Sequence, residues 1–182
     1  SDQLPPIFPD YAGVTVPVNI APLNFDASVE AERVEATISN GSEQITVKGR
    51  EGVRIPARKW RSLLAEAERL TITVAVTVDD VCTEYAPFEI EVSRDTIDYG
   101  ICYRRVDPGY EYYSRMGIYY YDLSENEEHT LVENMLMGSS CVNCHSFAKT
   151  NPEKMMFHIR GKNGGTLLHL NGDNKLLNTK TD

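Results

Sequence analysis

No run of about eighteen apolar residues occurs in this chain of 182, so no segment reads as a transmembrane helix. Positive charge is also short: 18 lysines and arginines stand against 27 aspartates and glutamates, a net charge of −9. A surface of that sign repels phosphates, which excludes nucleic acid as the expected partner. It could favour a basic redox protein, but solubility alone accounts for it. There is no Ser-His-Asp set, no Walker-type glycine loop and no paired-carboxylate signature, which leaves no basis for an enzymatic assignment. No secretory leader is visible; the chain opens on Ser1-Asp2-Gln3, and the expectation is a trimmed mature form.

What the chain does have is Cys141-Val142-Asn143-Cys144-His145. Two thiols two residues apart can each form a thioether to one vinyl group of a single porphyrin, and the next histidine can reach the iron from one face. With four cysteines and four histidines in the chain, composition alone predicts about 0.002 such strings. A thioredoxin-type pair would need its first cysteine at a helix N-terminus after a buried strand. Met137-Gly138-Ser139-Ser140 reads instead as a polar turn. A zinc finger needs a second ligand pair at short spacing, and His158 to His169 is too long a gap. The motif therefore points to haem c, and to export, because covalent attachment takes place outside the bacterial cytoplasm. Protein made in a cytoplasm would lack the haem, with the motif left as a poorly ordered loop.

The sixth iron position needs a ligand or stays open. His158 is the first candidate, paired with His145 across a shared pocket; Met155 and Met156 are the alternatives, while His129, Met135 and Met137 precede the motif. The remaining cysteines, Cys82 and Cys102, sit in strand-like segments, where an oxidising compartment permits a disulfide without demanding one.

Patterning predicts a mainly β chain: a β-sandwich with one amphipathic helix, followed by the CxxCH segment and a β-hairpin, the immunoglobulin-like arrangement being one form the sandwich could take. Residues 1–13 carry Pro5, Pro6 and Pro9 and read as an extended segment or linker. Residues 14–128 read as the sandwich domain. In it, Val34–Ser39 and Gln44–Lys48 flank Asn40-Gly41, a hairpin signal, and residues 71–78 and 88–92 alternate strictly. Pro56 opens a helix whose stripe is Trp60, Leu63, Leu64 and Ala67. Residues 129–182 hold the motif, a helix-like approach from Leu131 to Met137, a turn at Asn151-Pro152, and a hairpin of Met155–Arg160 with Thr166–Leu170.

Eight of the ten tyrosines fall in residues 99–121: Tyr99, Tyr103, Tyr110, Tyr112, Tyr113, Tyr119, Tyr120 and Tyr121. Tyrosine favours strands, with Asp107-Pro108-Gly109 as the turn between two of them. An aromatic sheet face, a wall of a haem pocket and a sugar-stacking platform all remain open readings.

The run Ile101-Cys102-Tyr103-Arg104-Arg105-Val106-Asp107-Pro108-Gly109-Tyr110, then Met116-Gly117-Ile118-Tyr119, the haem motif with Ser146-Phe147, and Phe157-His158-Ile159-Arg160 resemble a set of bacterial exported proteins. Gly164-Gly165-Thr166, Leu177-Asn178-Thr179-Lys180-Thr181 and the opening Pro9-Asp10-Tyr11 and Asn19-Ile20-Ala21-Pro22 continue the likeness. These are described as TolB-like or WD40-like β-propeller proteins with a cytochrome c motif. The resemblance implies a periplasmic or outer-membrane location, a lipid anchor, and a propeller following residue 182. Two functions are then expected alternatives. One is a c-type haem module for electron transfer or redox sensing, with a redox partner protein or cell-envelope complex. The other is a binding or assembly module engaging a glycan or protein, with haem secondary.

Overall fold

Strict alternation sets the largest sheet in the computed structural model, which describes residues 1–98, 100–107, 115–161 and 164–179. The turn residues Pro108 and Gly109, Tyr99, Tyr110, Tyr112, Tyr113, and the closing Lys180-Thr181 lie outside the described residues. Strand β7 (Arg69–Val78) buries Leu70, Ile72, Val74 and Val76 on one face. Its neighbours are antiparallel: β4 (Arg33–Ser39), with Ile38 opposite Ile72, and β9 (Phe88–Ser93), with Ile90 opposite Leu70. β5 (Gln44–Gly49) extends the sheet beyond β4, β2 (Thr15–Pro17) runs parallel to β9, and β8 (Val81–Glu84) pairs with the far end of β7. The β4–β5 connection is held by Asn40, whose Oδ1 accepts hydrogen bonds from the Ser42 and Glu43 amides at 3.0 and 2.7 Å.

A second small sheet, β1 (Ile7–Phe8), β3 (Phe25–Ala27) and β6 (Gly52–Val53), contributes Ile7, Phe25 and Val53 to the same core. The first residues are therefore fastened down and are not a linker. Ile7 pairs with Ala27, and the Ser1 amino group donates to the Glu84 carbonyl at 2.7 Å.

Helix α1 (Ala57–Glu66) follows Pro56, whose fixed φ suits the entry to a helix. Trp60, Leu63 and Leu64 share one side at helical spacing and are fully buried, each contributing roughly 1.5–3 kcal/mol through burial. The Trp60 indole N–H donates to the Ile20 carbonyl at 3.0 Å, so the ring is satisfied at its polar edge as well. The helix ends against Arg94, which donates to the carbonyls of Leu64, Ala65 and Ala67 and places a cation at the negative end of the dipole.

The chain divides into two compact units, Ser1–Ile97 and Asp98–Asp182. The tyrosine-rich strands thus belong with the CxxCH segment and not with the sandwich, for which a limit at residue 128 was expected. The second unit holds two antiparallel meanders. One is β10 (Gly100–Val106), β11 (Met116–Asp122) and β12 (Glu127–Glu133). The other is β13 (Cys141–Ala148), β14 (Asn151–Arg160), β15 (Gly165–Leu170) and β16 (Asp173–Leu177). Met116, Ile118 and Val132 from the first share a core with Val142, Met155, Phe157 and Ile159 from the second. The molecule is mainly β, and α1 is its one α-helix among the described residues.

Two local expectations are corrected. Residues 127–133 are a strand, and only Asn134–Met137 coil, as a short 3-10 helix. The turn expected at Asn151-Pro152 lies just before it, at Lys149 and Thr150, whose φ angles are 52° and 60°.

Asp122 anchors the β11–β12 hairpin: its Oδ1 accepts from the Ser124 amide at 2.7 Å, the Ser124 hydroxyl at 2.7 Å and the Glu125 amide at 3.2 Å. Burial pushes this carboxyl up, but those bonds, with His129 nearby, hold it below its ordinary value overall. A folded-state pKa below the unfolded one adds stability above the unfolded value, and that stability is lost as pH falls through the folded value. Asp122→Asn keeps the acceptor oxygen and removes the charge. The difference in urea midpoint between the wild type and this variant should therefore be present at pH 7 and vanish in acid. A difference that stays constant from pH 7 to strong acid would contradict the assignment.

Candidate functional site around the CxxCH strand

Gly138 and Ser139, with φ angles of 67° and 58°, turn the chain from the 3-10 helix into β13. Val142 fixes the strand: it is fully buried and lies opposite Ile159. The register then slips at Cys144, a bulge residue with a φ of 20°. Before the bulge Cys141 faces Arg160 and Asn143 faces His158; after it His145 faces Phe157 and Phe147 faces Met155. The motif is therefore an ordered, paired strand, and the expectation of a loose loop is corrected. Neighbouring apolar residues supply the reason, since Val142 and Phe147 anchor both ends of the stretch in the core of this unit.

Opposite residues of an antiparallel pair share a face, and successive residues alternate. His145 thus lies on the face of Phe157 and Met155, while His158 lies on the other, with Asn143 and Met156. The expected pocket holding both His145 and His158 is not formed: the ladder points the two rings away from each other. His158 has instead a structural partner, its Nδ1 lying 3.1 Å from the Thr166 hydroxyl, which in turn lies 2.8 Å from that of Thr179. Of the two methionine candidates, Met155 is buried on the His145 side and Met156 is exposed on the His158 side.

The His145 side opens into a cleft of about 310 Å³ lined by Gly100, Cys102, Tyr120, His145, Phe147, Thr150 and Pro152. The His145 and Phe147 rings meet edge to face at 6.1 Å, and Tyr120 stacks on His129 with centroids 6.3 Å apart. Cys102 is the member that sequence reasoning did not place here; its thiol is half-buried, and burial pushes its pKa up. The only signal for it was its place one register step from the tyrosine pairs, because Cys102 lies opposite Tyr120. All four cysteines are free thiols, Cys82 and Cys144 exposed, Cys102 and Cys141 half-buried.

A covalently held haem needs two free thiols and a neighbouring imidazole, and the donor set matches that need. The paired strand does not offer all three to one porphyrin, since Cys141 and His145 open to opposite faces. Among the described residues no cluster of three or more histidine, cysteine or carboxylate side chains is placed to hold a metal ion. No family model, curated protein or solved structure matches this chain.

Proposed function

We propose that the second unit is a c-type haem module of an exported protein, serving electron transfer or redox sensing. The observation that carries this is the donor set Cys141, Cys144 and His145 at the spacing that covalent attachment requires. Cys141 and Cys144 would hold the group as thioethers, each S–H adding across a vinyl C=C, and His145 would ligate the iron. The bound group would supply one-electron chemistry.

The chain's own residues set the conditions. Cys144 is exposed at a bulge, where the ladder with β14 is already interrupted. His145 faces a cleft whose lining includes the aromatic rings of Tyr120 and Phe147, and the Phe147 ring meets the imidazole edge to face. Because Cys141 and His145 occupy opposite faces of the strand, attachment requires residues 141–145 to be unpaired from β14. Haem is therefore expected to enter before this strand docks, or to displace it. The likeness to exported propeller proteins with a haem motif supports the same reading, and the proposal carries with it a periplasmic or outer-membrane location.

A visible absorption spectrum tests it. Protein matured outside the cytoplasm of a host with attachment machinery should show the Soret and α bands of a haem c. A colourless, folded, exported protein would overturn the proposal.

A further inference from the structure

The outward face of the β10–β12 meander is a second prepared surface, distinct from the cleft around His145. Tyr103, Arg105, Tyr119, Tyr121, Glu128, Thr130 and Glu133 all lie on it, because Tyr103 pairs with Tyr119, Tyr121 with Glu128, Tyr119 with Thr130 and Gly117 with Glu133. The Tyr103 and Tyr119 rings are stacked, 6.1 Å apart and 23° from parallel. Gly117 makes room for this: a Cβ there would come within 2.9 Å of the Tyr119 ring, so only glycine lets the ring lie along the sheet. The Arg105 guanidinium lies 4.6 Å from the centre of the same ring.

The polar groups are fixed as well. Glu128 accepts hydrogen bonds from both the Tyr103 hydroxyl and Arg105, and Glu133 accepts from the Tyr119 hydroxyl at 2.9 Å. Beside them is a cleft of about 290 Å³, whose lining includes Arg105, Asp107, Arg115, Tyr119, Glu128 and Glu133. That volume lies just below the range of about 300–1,000 Å³ for ligand sites that enclose a drug-sized molecule.

The chemistry of the lining selects among ligands. Three carboxylates disfavour an anion, and two guanidinium groups disfavour a cation. An apolar ligand would strand these charges without water. A neutral polyhydroxylated ring suits the set. Its C–H face packs on a flat aromatic surface, and its vicinal hydroxyls can donate to a carboxylate and accept from a guanidinium at once. We propose that this face binds neutral carbohydrate, with Tyr103 and Tyr119 as the stacking surface and Arg105, Glu128 and Glu133 as hydroxyl partners. The proposal does not depend on haem, and either can fail alone.

The test is an array of neutral, uronic-acid and sulfated oligosaccharides probed with the full chain, alongside Tyr103→Ala, Tyr119→Ala and Tyr119→Phe. The expected result is binding to at least one neutral glycan. Each alanine variant should weaken it about ten-fold or more, and Tyr119→Phe, which keeps the ring, by less. Circular dichroism and thermal melting of both alanine variants, matched to the wild type, separate loss of binding from a folding failure. Absence of binding to any neutral glycan, preference for the acidic ones, or binding indifferent to all three substitutions would overturn the proposal.

Discussion

Exported protein with Cys141→Ser and Cys144→Ser together should carry no covalent haem, and each single variant should show less than the wild type. Each thioether consumes one of the two thiols, so neither cysteine can replace the other. Serine is close in size and Cys144 is exposed, so its replacement removes no core contact. Cys141 is half-buried at the edge of the second unit's core, where the change is modest. Loss of haem from these variants would therefore report chemistry and not unfolding. Haem retained through denaturing electrophoresis is the readout, with intensity compared at equal protein. A double variant that keeps the stain would show that some other residue holds the group. Cys82→Ser serves as the control, because that thiol lies on β8 of the first unit and should leave the stain unchanged.

Trp60→Ala should be the most damaging single change in the first unit. The indole is fully buried among the apolar residues of α1 and the two sheets, and its N–H is the donor to the Ile20 carbonyl. Replacing so large a buried side chain costs about 3–5 kcal/mol, and the carbonyl left without its donor adds to that. Small domains have only about 5–15 kcal/mol in total. The unit should thus lose a large part of its stability or fail to fold. Trp60→Phe, which restores most of the volume but not the donor, should cost less. Since Trp60 is the single tryptophan, tryptophan fluorescence cannot follow the alanine variant. Hydrogen exchange at the Ile72, Val74 and Val76 amides can. Strong acceleration there is expected; unchanged protection would mean that the helix contributes little to holding the sheet.

The elements that were legible in the sequence are those with a strong period and a one-sided core. Residues 69–78 alternate because one face of β7 is buried, and α1 repeats at helical spacing because Trp60, Leu63 and Leu64 all face the sheets. The CxxCH strand was not legible for the opposite reason. Its bulge at Cys144 shifts the alternation, so Val142 before it and His145 and Phe147 after it share a face despite their odd spacing. Strand β16 was missed because Asp173-Asn174-Lys175-Leu176-Leu177 is an edge strand, largely exposed and without an apolar rhythm. The boundary at Ile97 and Asp98 is marked only by Gly100, a single glycine at the start of β10, with no proline beside it. The donor residues of the candidate site could be read directly from their spacing. Their faces could not, since a single bulge decides which side chains share a side.

That bulge also separates the two candidate histidines, and it makes the haem reading rest on covalent chemistry more than on a preformed pocket. The most direct measurement is therefore the intact mass, under denaturing conditions, of protein recovered after export. Addition of two thiols across two vinyl groups loses no atoms, so the account predicts the mass of the polypeptide plus that of one whole haem. The mass of the polypeptide alone, from protein correctly exported and folded, would contradict it.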